Sequence, residues 1–74
     1  MIRIRIIWKL PGRHTGSEDL LAPEGSRVGG LLDLLHAENL RDHVLLVRNK
    51  HMTDGTEVLC DGDSIIILPV ICGG

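Results

Sequence analysis

Aromatic residues are almost missing from this 74-residue chain: it has no Phe and no Tyr, and Trp8 stands alone. Its core must therefore be aliphatic, built from Ile, Leu and Val. The same lack excludes recognition of single-stranded nucleic acid, which stacks bases on aromatic side chains. A basic surplus is absent as well. Eight Lys and Arg face ten Asp and Glu, for a formal net charge of -2, so the chain lacks the basic face of a nucleic-acid binder. The longest aliphatic run late in the chain, Ile65 to Leu68, is far shorter than the about 20 residues a membrane-spanning helix needs. At the N-terminus, Ile2-Arg3-Ile4-Arg5 breaks every apolar residue with a charge, unlike the unbroken apolar stretch of a signal peptide. These features read as a cytoplasmic protein with no membrane partner. Cys60 and Cys72 are too few for a disulfide framework, and reduced thiols suit that compartment. A single domain of this size buries only about 60% of the surface its unfolded chain exposes. It has little room for a deep cleft, so function is expected on a surface or a terminus.

What is present is mostly pattern. Ile2, Ile4, Ile6 and Trp8 alternate with Arg3, Arg5 and Lys9, which predicts a strand over residues 2–9 with one buried face. Pro11-Gly12 closes it. Residues 13–19 are polar and read as a loop or hairpin connection. Leu20-Leu21-Ala22 follows as a short second strand, stopped by Pro23-Glu24-Gly25. The period then changes. Val28, Leu31, Leu32 and Leu35 form a helical stripe, with Ser26 as N-cap and Asn39 as the stop. Val44–Val47 predicts a third strand, Glu57–Cys60 a weak fourth and Ser64–Leu68 a fifth. Asp61-Gly62-Asp63 is a tight turn between the last two. The fifth strand is apolar on both faces, which places it centrally in the sheet. The expected core is Ile2, Ile4, Ile6, Leu31, Leu32, Leu35, Val47, Ile65 and Ile67. The order β-β-α-β-β-β makes an α+β fold: one helix packs on one face of a mixed four- or five-stranded sheet. The other face carries Arg3 and Arg5 and is a candidate docking face.

The tail stands out. Pro69, which tends to end a central strand, is followed by Val70-Ile71-Cys72-Gly73-Gly74. Residues 1–69 therefore read as the domain and 70–74 as a flexible tail. Gly has no Cβ, so a diglycine end threads a narrow channel and leaves a terminal carboxylate unhindered. A carboxylate is inert to nucleophiles until its oxygen becomes a good leaving group. Attack on the α-phosphate of ATP, with loss of pyrophosphate, makes an acyl-adenylate. A sulfur nucleophile then displaces AMP and leaves a thiocarboxylate.

The Asp61-Gly62-Asp63 turn, the strand Ile65-Ile66-Ile67-Leu68, Pro69-Val70 and the final Gly73-Gly74 resemble the ThiS/MoaD family of ubiquitin-like sulfur carriers. The N-terminal strand and the Pro23-Glu24-Gly25-Ser26 lead into the helix match as well. The resemblance implies a β-grasp fold and a carrier protein rather than an enzyme. It implies that Gly74 is the acyl group, adenylated by an E1-like adenylyltransferase and charged by a sulfur donor protein. It also implies an acceptor synthase subunit and a cofactor pathway of molybdopterin or thiamine type. Val70, Ile71, Cys72 and Gly73 would thread the partner's channel. The resemblance implies no bound cofactor, ATP being used by the activating partner. Leu68 before a single Pro69 departs from the aromatic and Pro-Pro pair usual in molybdopterin synthase small subunits, while thiamine carriers usually lack that proline.

Plainer readings stand beside these. A ubiquitin-like modifier would use the same tail to form an isopeptide with a lysine. A plain β-grasp binding module would leave the tail inert. Cys72 is either a sulfur relay or a small residue that fits the channel, and Cys60 reads as packing. His14, His36, His43 and His51 are too dispersed for a zinc site, so no metal is expected. Gly25 to Gly30 lacks the Gly-Lys-Ser/Thr ending of a phosphate loop. No internal nucleophile–base pair points to an enzyme.

Overall fold

The computed structural model describes residues 1–12 and 14–70. Its elements are β1 (Ile2–Leu10), β2 (His14–Ala22), a 3-10 turn (Val28–Gly30) running into α1 (Leu31–Leu34), a second 3-10 turn (Glu38–Leu40), β3 (Val44–Arg48), β4 (His51–Met52) and β5 (Ser64–Pro69). The five strands form one sheet in the order β2-β1-β5-β3-β4. β1 and β5 are parallel; every other neighbouring pair is antiparallel. This is the β-grasp arrangement, with the helical segment on one face.

The alternation in β1 decides the core. Ile2, Ile4, Ile6, Trp8 and Leu10 are buried, and so are Ile65 and Ile67 of β5. Val28, Leu31, Leu32 and Ala37 cover them from the helical layer, with Leu59 from the long loop before β5. Each fully buried isoleucine contributes about 1.5–3 kcal/mol. Two residues expected in the core lie elsewhere. Leu35 is half-buried at its margin, and Val47 belongs to the opposite sheet face. Four successive apolar residues carry no period, so the run Val44–Val47 could not say which two point inward.

The stretch 13–19 is not a loop. All of His14–Ala22 pairs with β1, so the second strand has nine residues rather than three. Its polarity has a local cause. On the core side, β2 presents His14, Gly16 and Glu18 to the only aromatic residue. Trp8 lies opposite Gly16, stacks on the His14 ring at 4.1 Å and donates its Nε1–H to Glu18 Oε2 at 2.8 Å. Gly16 has φ +119, a conformation L side chains rarely adopt.

The helix is also shorter than its stripe. Ser26 does not cap it: its hydroxyl donates to the Pro23 carbonyl at 2.7 Å. The chain instead makes a 3-10 turn at Val28–Gly30. Gly29 lies so close to Gly55 that its N–H donates to the Gly55 carbonyl, and a Cβ there would stand 3.1 Å from that oxygen. α1 ends not at Asn39 but at His36, in the left-handed region with φ 57. Ala37 N donates to Leu32 O and His36 N to Asp33 O, which is a Schellman closure. The weak strand expected at Glu57–Cys60 is a single bridge, Arg27 to Val58. The fourth strand is His51–Met52, reached through a two-residue turn at Asn49 and Lys50 with φ 48 and 75. No helix among the described residues is long and apolar enough to cross a membrane.

Candidate functional site at the tail end of the open sheet face

β5 runs parallel to β1, so the chain leaves the sheet beside Leu10 and Pro11, at the start of β3. Pro69 is the last residue of β5, as expected, and one backbone bond follows it. It pairs with Val44, and Val70 N then donates to His43 O at 3.0 Å. Leu10, Pro11, Leu40, His43, Val44 and Pro69 surround a groove of about 410 Å³ at this point. Val70 is exposed. Ile71, Cys72, Gly73 and Gly74, the other tail residues singled out in the sequence, lie outside the described residues.

The sheet face away from the helix is more apolar than its arginines suggest. Register places Ile7, Ile66, Val47 and Met52 in one row across β1, β5, β3 and β4. Leu68 and Leu45 make the next row toward the tail. Met52 is 66% exposed and Leu45 37%, while the others are half-buried. Sequence reasoning missed this patch. The signal was there in two runs, Val44–Val47 and Ile65–Leu68, apolar on both faces. In β5 that pattern signals a central position equally well. β5 is central, but its second apolar face is uncovered among the described residues.

Arg3 and Arg5 do lie on this open face, though not beside the tail. Arg5 pairs with Ser64, the first residue of β5, five positions before Pro69. At about 3.3 Å per residue that is roughly 17 Å. Arg5 lies 3.6 Å from Asp19, both well exposed, so the pair adds little stability. Both arginines border a groove of about 710 Å³ with Met1, Leu21, Asp19 and Asp61.

That far end is closed by the Asp61-Gly62-Asp63 turn. Asp61 Oδ1 accepts from Arg3 N at 2.8 Å, and Gly62 N donates to Arg3 O. Asp63 is the only buried charged residue described. Its carboxylate accepts from Cys60 N at 2.7 Å, Asn49 Nδ2 at 2.9 Å, and Arg48 Nε and Nη2 at 3.0 and 2.9 Å. Burial pushes its pKa up, but the Cys60, Asn49 and Arg48 bonds together outweigh this and hold it below the ordinary value. The Arg48 guanidinium is raised in return, first by its hydrogen bond to Asp63. Asn49 also accepts from Ser64 N, tying the β3–β4 turn to the start of β5. Cys60, expected to pack, is exposed, with Sγ 3.7 Å from Arg48 Nη2. Among the described residues no group of three or more His, Cys, Asp or Glu is placed to hold a metal.

The family model described as the ThiS family matches residues 9–74. No curated protein sequence matches the chain. Several solved structures are similar. A putative molybdopterin converting factor subunit 1 from Pyrococcus furiosus aligns with TM-score 0.79 at 20% identity, over 96% of this chain and 100% of that one. A complex of subunits 1 and 2 of the molybdopterin-converting factor from Helicobacter pylori aligns with TM-score 0.70 at 24% identity, over 99% and 100%. A ubiquitin from Caldiarchaeum subterraneum aligns with TM-score 0.71 at 20% identity, over 99% and 98%. These likenesses show the fold, a ubiquitin-like β-grasp.

Proposed function

The chain belongs to the ThiS family, and from that premise we propose that it is a sulfur carrier whose reactive group is the acyl end of Gly74. The observation that carries this reading is the family match itself, which runs through the Gly73-Gly74 pair. The fold supports it, because β5 carries the chain to the end of an open sheet face whose last row before the tail is Leu45 and Leu68.

In this reading the chain is a substrate of its partners rather than an enzyme. An E1-like adenylyltransferase binds ATP. The Gly74 carboxylate oxygen attacks the α-phosphate, pyrophosphate leaves, and an acyl-adenylate remains. Sulfide delivered by a donor protein attacks the acyl carbon, the bond to AMP breaks, and the thiocarboxylate remains. An acceptor synthase subunit then takes the sulfur into a cofactor precursor of molybdopterin or thiamine type. The Helicobacter pylori structure is a complex of two converting-factor subunits, which supports an acceptor subunit as one partner. The aliphatic rows through Ile7, Ile66, Val47, Leu45 and Leu68 offer such partners a docking surface next to the tail, and Ile71, Cys72 and Gly73 then extend into the partner's channel.

The test is incubation of the chain with ATP, an E1-like activating enzyme and a sulfur source, followed by intact mass spectrometry. Replacement of one terminal oxygen by sulfur is expected. An unchanged mass where a known carrier reacts overturns the reading. The likeness to a ubiquitin favours one rival, a modifier joined through the same glycine to lysines. That rival gives higher-mass conjugates on a denaturing gel, which a carrier does not form.

A further inference from the structure

The open face has a charge pattern that the carrier chemistry does not use. β1 places Arg3, Arg5 and Lys9 there, all exposed. Among the described strand residues this face has one carboxylate, Asp19, already 3.6 Å from Arg5. Asp61 lies beyond the strand at the Arg3 end. Lys9 has no acidic neighbour across the sheet: its β2 partner is Thr15. A chain of net charge -2 thus keeps a cationic stripe on one strand. Arg5, Ile7, Lys9, Pro11, Thr15 and Ser17 border a groove of about 570 Å³, with the buried Trp8 beneath it and no acidic side chain among the described residues that line it.

We propose that this groove docks an extended, acidic segment of a partner protein, in which two carboxylates flank one apolar side chain. The spacing carries the argument. Arg5 and Lys9 are four residues apart on one strand face, about 13 Å. Carboxylates four residues apart in an extended segment have the same separation, and the residue midway between them falls on Ile7. The Thr15 hydroxyl lies opposite Lys9 to donate to the carboxylate there, Ser17 lies opposite Ile7, and at the other end Arg5 turns from Asp19 to the partner's carboxylate. Ile7 also begins the aliphatic row toward Ile66 and Val47, so the groove continues the surface assigned above to the carrier's partners. The proposal rests on that reading for the partner's identity, and adds what the partner must present. A nucleic acid fits less well: the groove's centre is aliphatic, no exposed aromatic stands ready to stack, and the net charge repels a polyanion.

The test titrates the whole ¹⁵N-labelled chain with the blocked peptide Thr-Asp-Thr-Val-Thr-Asp-Thr at low salt. Amide shifts are expected at Arg5 to Lys9 and Thr15 to Ser17. Binding should weaken about tenfold when both Asp are replaced by Asn, when the chain carries Arg5→Glu with Lys9→Glu, or when salt is raised to about 0.5 M, as expected for two exposed ion pairs. Equal binding of the Asn peptide, shifts centred elsewhere, no binding at millimolar peptide, or tighter binding of oligothymidine each overturns it. Spectra of the variant away from β1 and β2 should match those of the natural chain. The titration does not read Gly74. A chain that is converted to the thiocarboxylate but ignores the peptide loses the groove and keeps the carrier reading; the reverse result does the opposite.

Discussion

At the end of the sheet where β5 begins, one buried carboxylate gathers three elements. Asp63 holds the Cys60 backbone, the Asn49 amide and the Arg48 guanidinium, and Asn49 in turn holds Ser64. At the end where β5 finishes, the last bond described is backbone alone, Val70 N to His43 O, in a groove lined by Leu10, Pro11, Leu40, Val44 and Pro69 together with Asn39 and His43. Both ends belong to the same strand, about 17 Å apart. One has side chains that fix its geometry; the other has little besides the direction in which it releases the chain. The contrast teaches that stability and chemistry are separable here. Residues that lock the fold gather at the start of β5, while the chain continues toward the proposed reacting group from its other end, so each can be removed without the other.

The sharpest break in that comparison comes at Gly74. Appending one residue, or deleting Gly74, moves the carboxylate by roughly 3.5 Å along an extended chain. Attack on ATP tolerates far less, since misplacement near 1 Å can cost about a hundredfold in rate. Pyrophosphate release with an activating enzyme should fall by about a hundredfold or more. The core lies upstream, so the melting temperature should stay put. Normal adenylation of the extended chain would show that Gly74 is not the working group.

The reverse experiment is Asp63→Ala. It strands the Cys60 N–H, the Asn49 amide and Arg48 without their shared acceptor. These donors are part-buried, so leaving them without an acceptor costs about 1–2 kcal/mol, the lower part of the range for orphaned groups, and in a chain this small that lowers the melting temperature by roughly 4–16 °C. The folded fraction should still be adenylated at the natural rate. If activity falls with the melting temperature unchanged, the two ends are not independent.

Acid probes the same clamp more gently. The folded pKa of Asp63 is depressed, so its contribution is fully present above the unfolded value of about 3.9 and is lost as pH falls through the lower folded value. Denaturant midpoints between about pH 2 and pH 6 should therefore drop on the acid side, and drop less steeply in Asp63→Asn. Asp54 is lowered too, by the Thr56 backbone N–H first and then its hydroxyl, and remains in both proteins. The difference between the two curves thus isolates Asp63. Parallel curves would mean that the Asp63 charge contributes nothing.

How much of this was legible depended on whether a residue's role left a period. β1 declared itself, because its neighbours on one face are all core. β5 declared its place in the sheet for the same kind of reason. β2 did not, since an edge strand that covers Trp8 with His14, Gly16 and Glu18 has no apolar alternation to read. α1 was overread: Gly29 against Gly55 turns its start into a 3-10 segment, a tertiary cause absent from any local window. The turn Asp61-Gly62-Asp63 was visible as a turn, but its role as a clamp needed Arg48 and Asn49 brought from another hairpin. On the open face, Arg3 and Arg5 were placed correctly on their side of the sheet. The aliphatic rows beside them, nearer the tail, were hidden because two-sided apolar strands look the same whether a second layer covers them or a partner does.

The smallest effect should come from that uncovered surface. Met52 and Leu45 belong to the aliphatic rows and are the two members of those rows that stand exposed. Replacing both by Ser removes little that the fold buries, so stability should change by no more than about 0.5 kcal/mol. If partners sit on these rows to guide the tail, the same change removes apolar area from the contact. At about 25 cal/mol per Å², and with roughly 50 Å² lost between the two positions, the loss is about 1.3 kcal/mol, or close to tenfold in affinity. It should appear as a raised KM for the chain in pyrophosphate release, with kcat preserved because Gly74 still reaches ATP once docked. Arg3→Ser, at the far end of the same face, should move KM far less. An unchanged KM for the double variant, together with a raised one for Arg3→Ser, would place the docking surface at the clamped end and reverse the assignment of the two halves of the sheet.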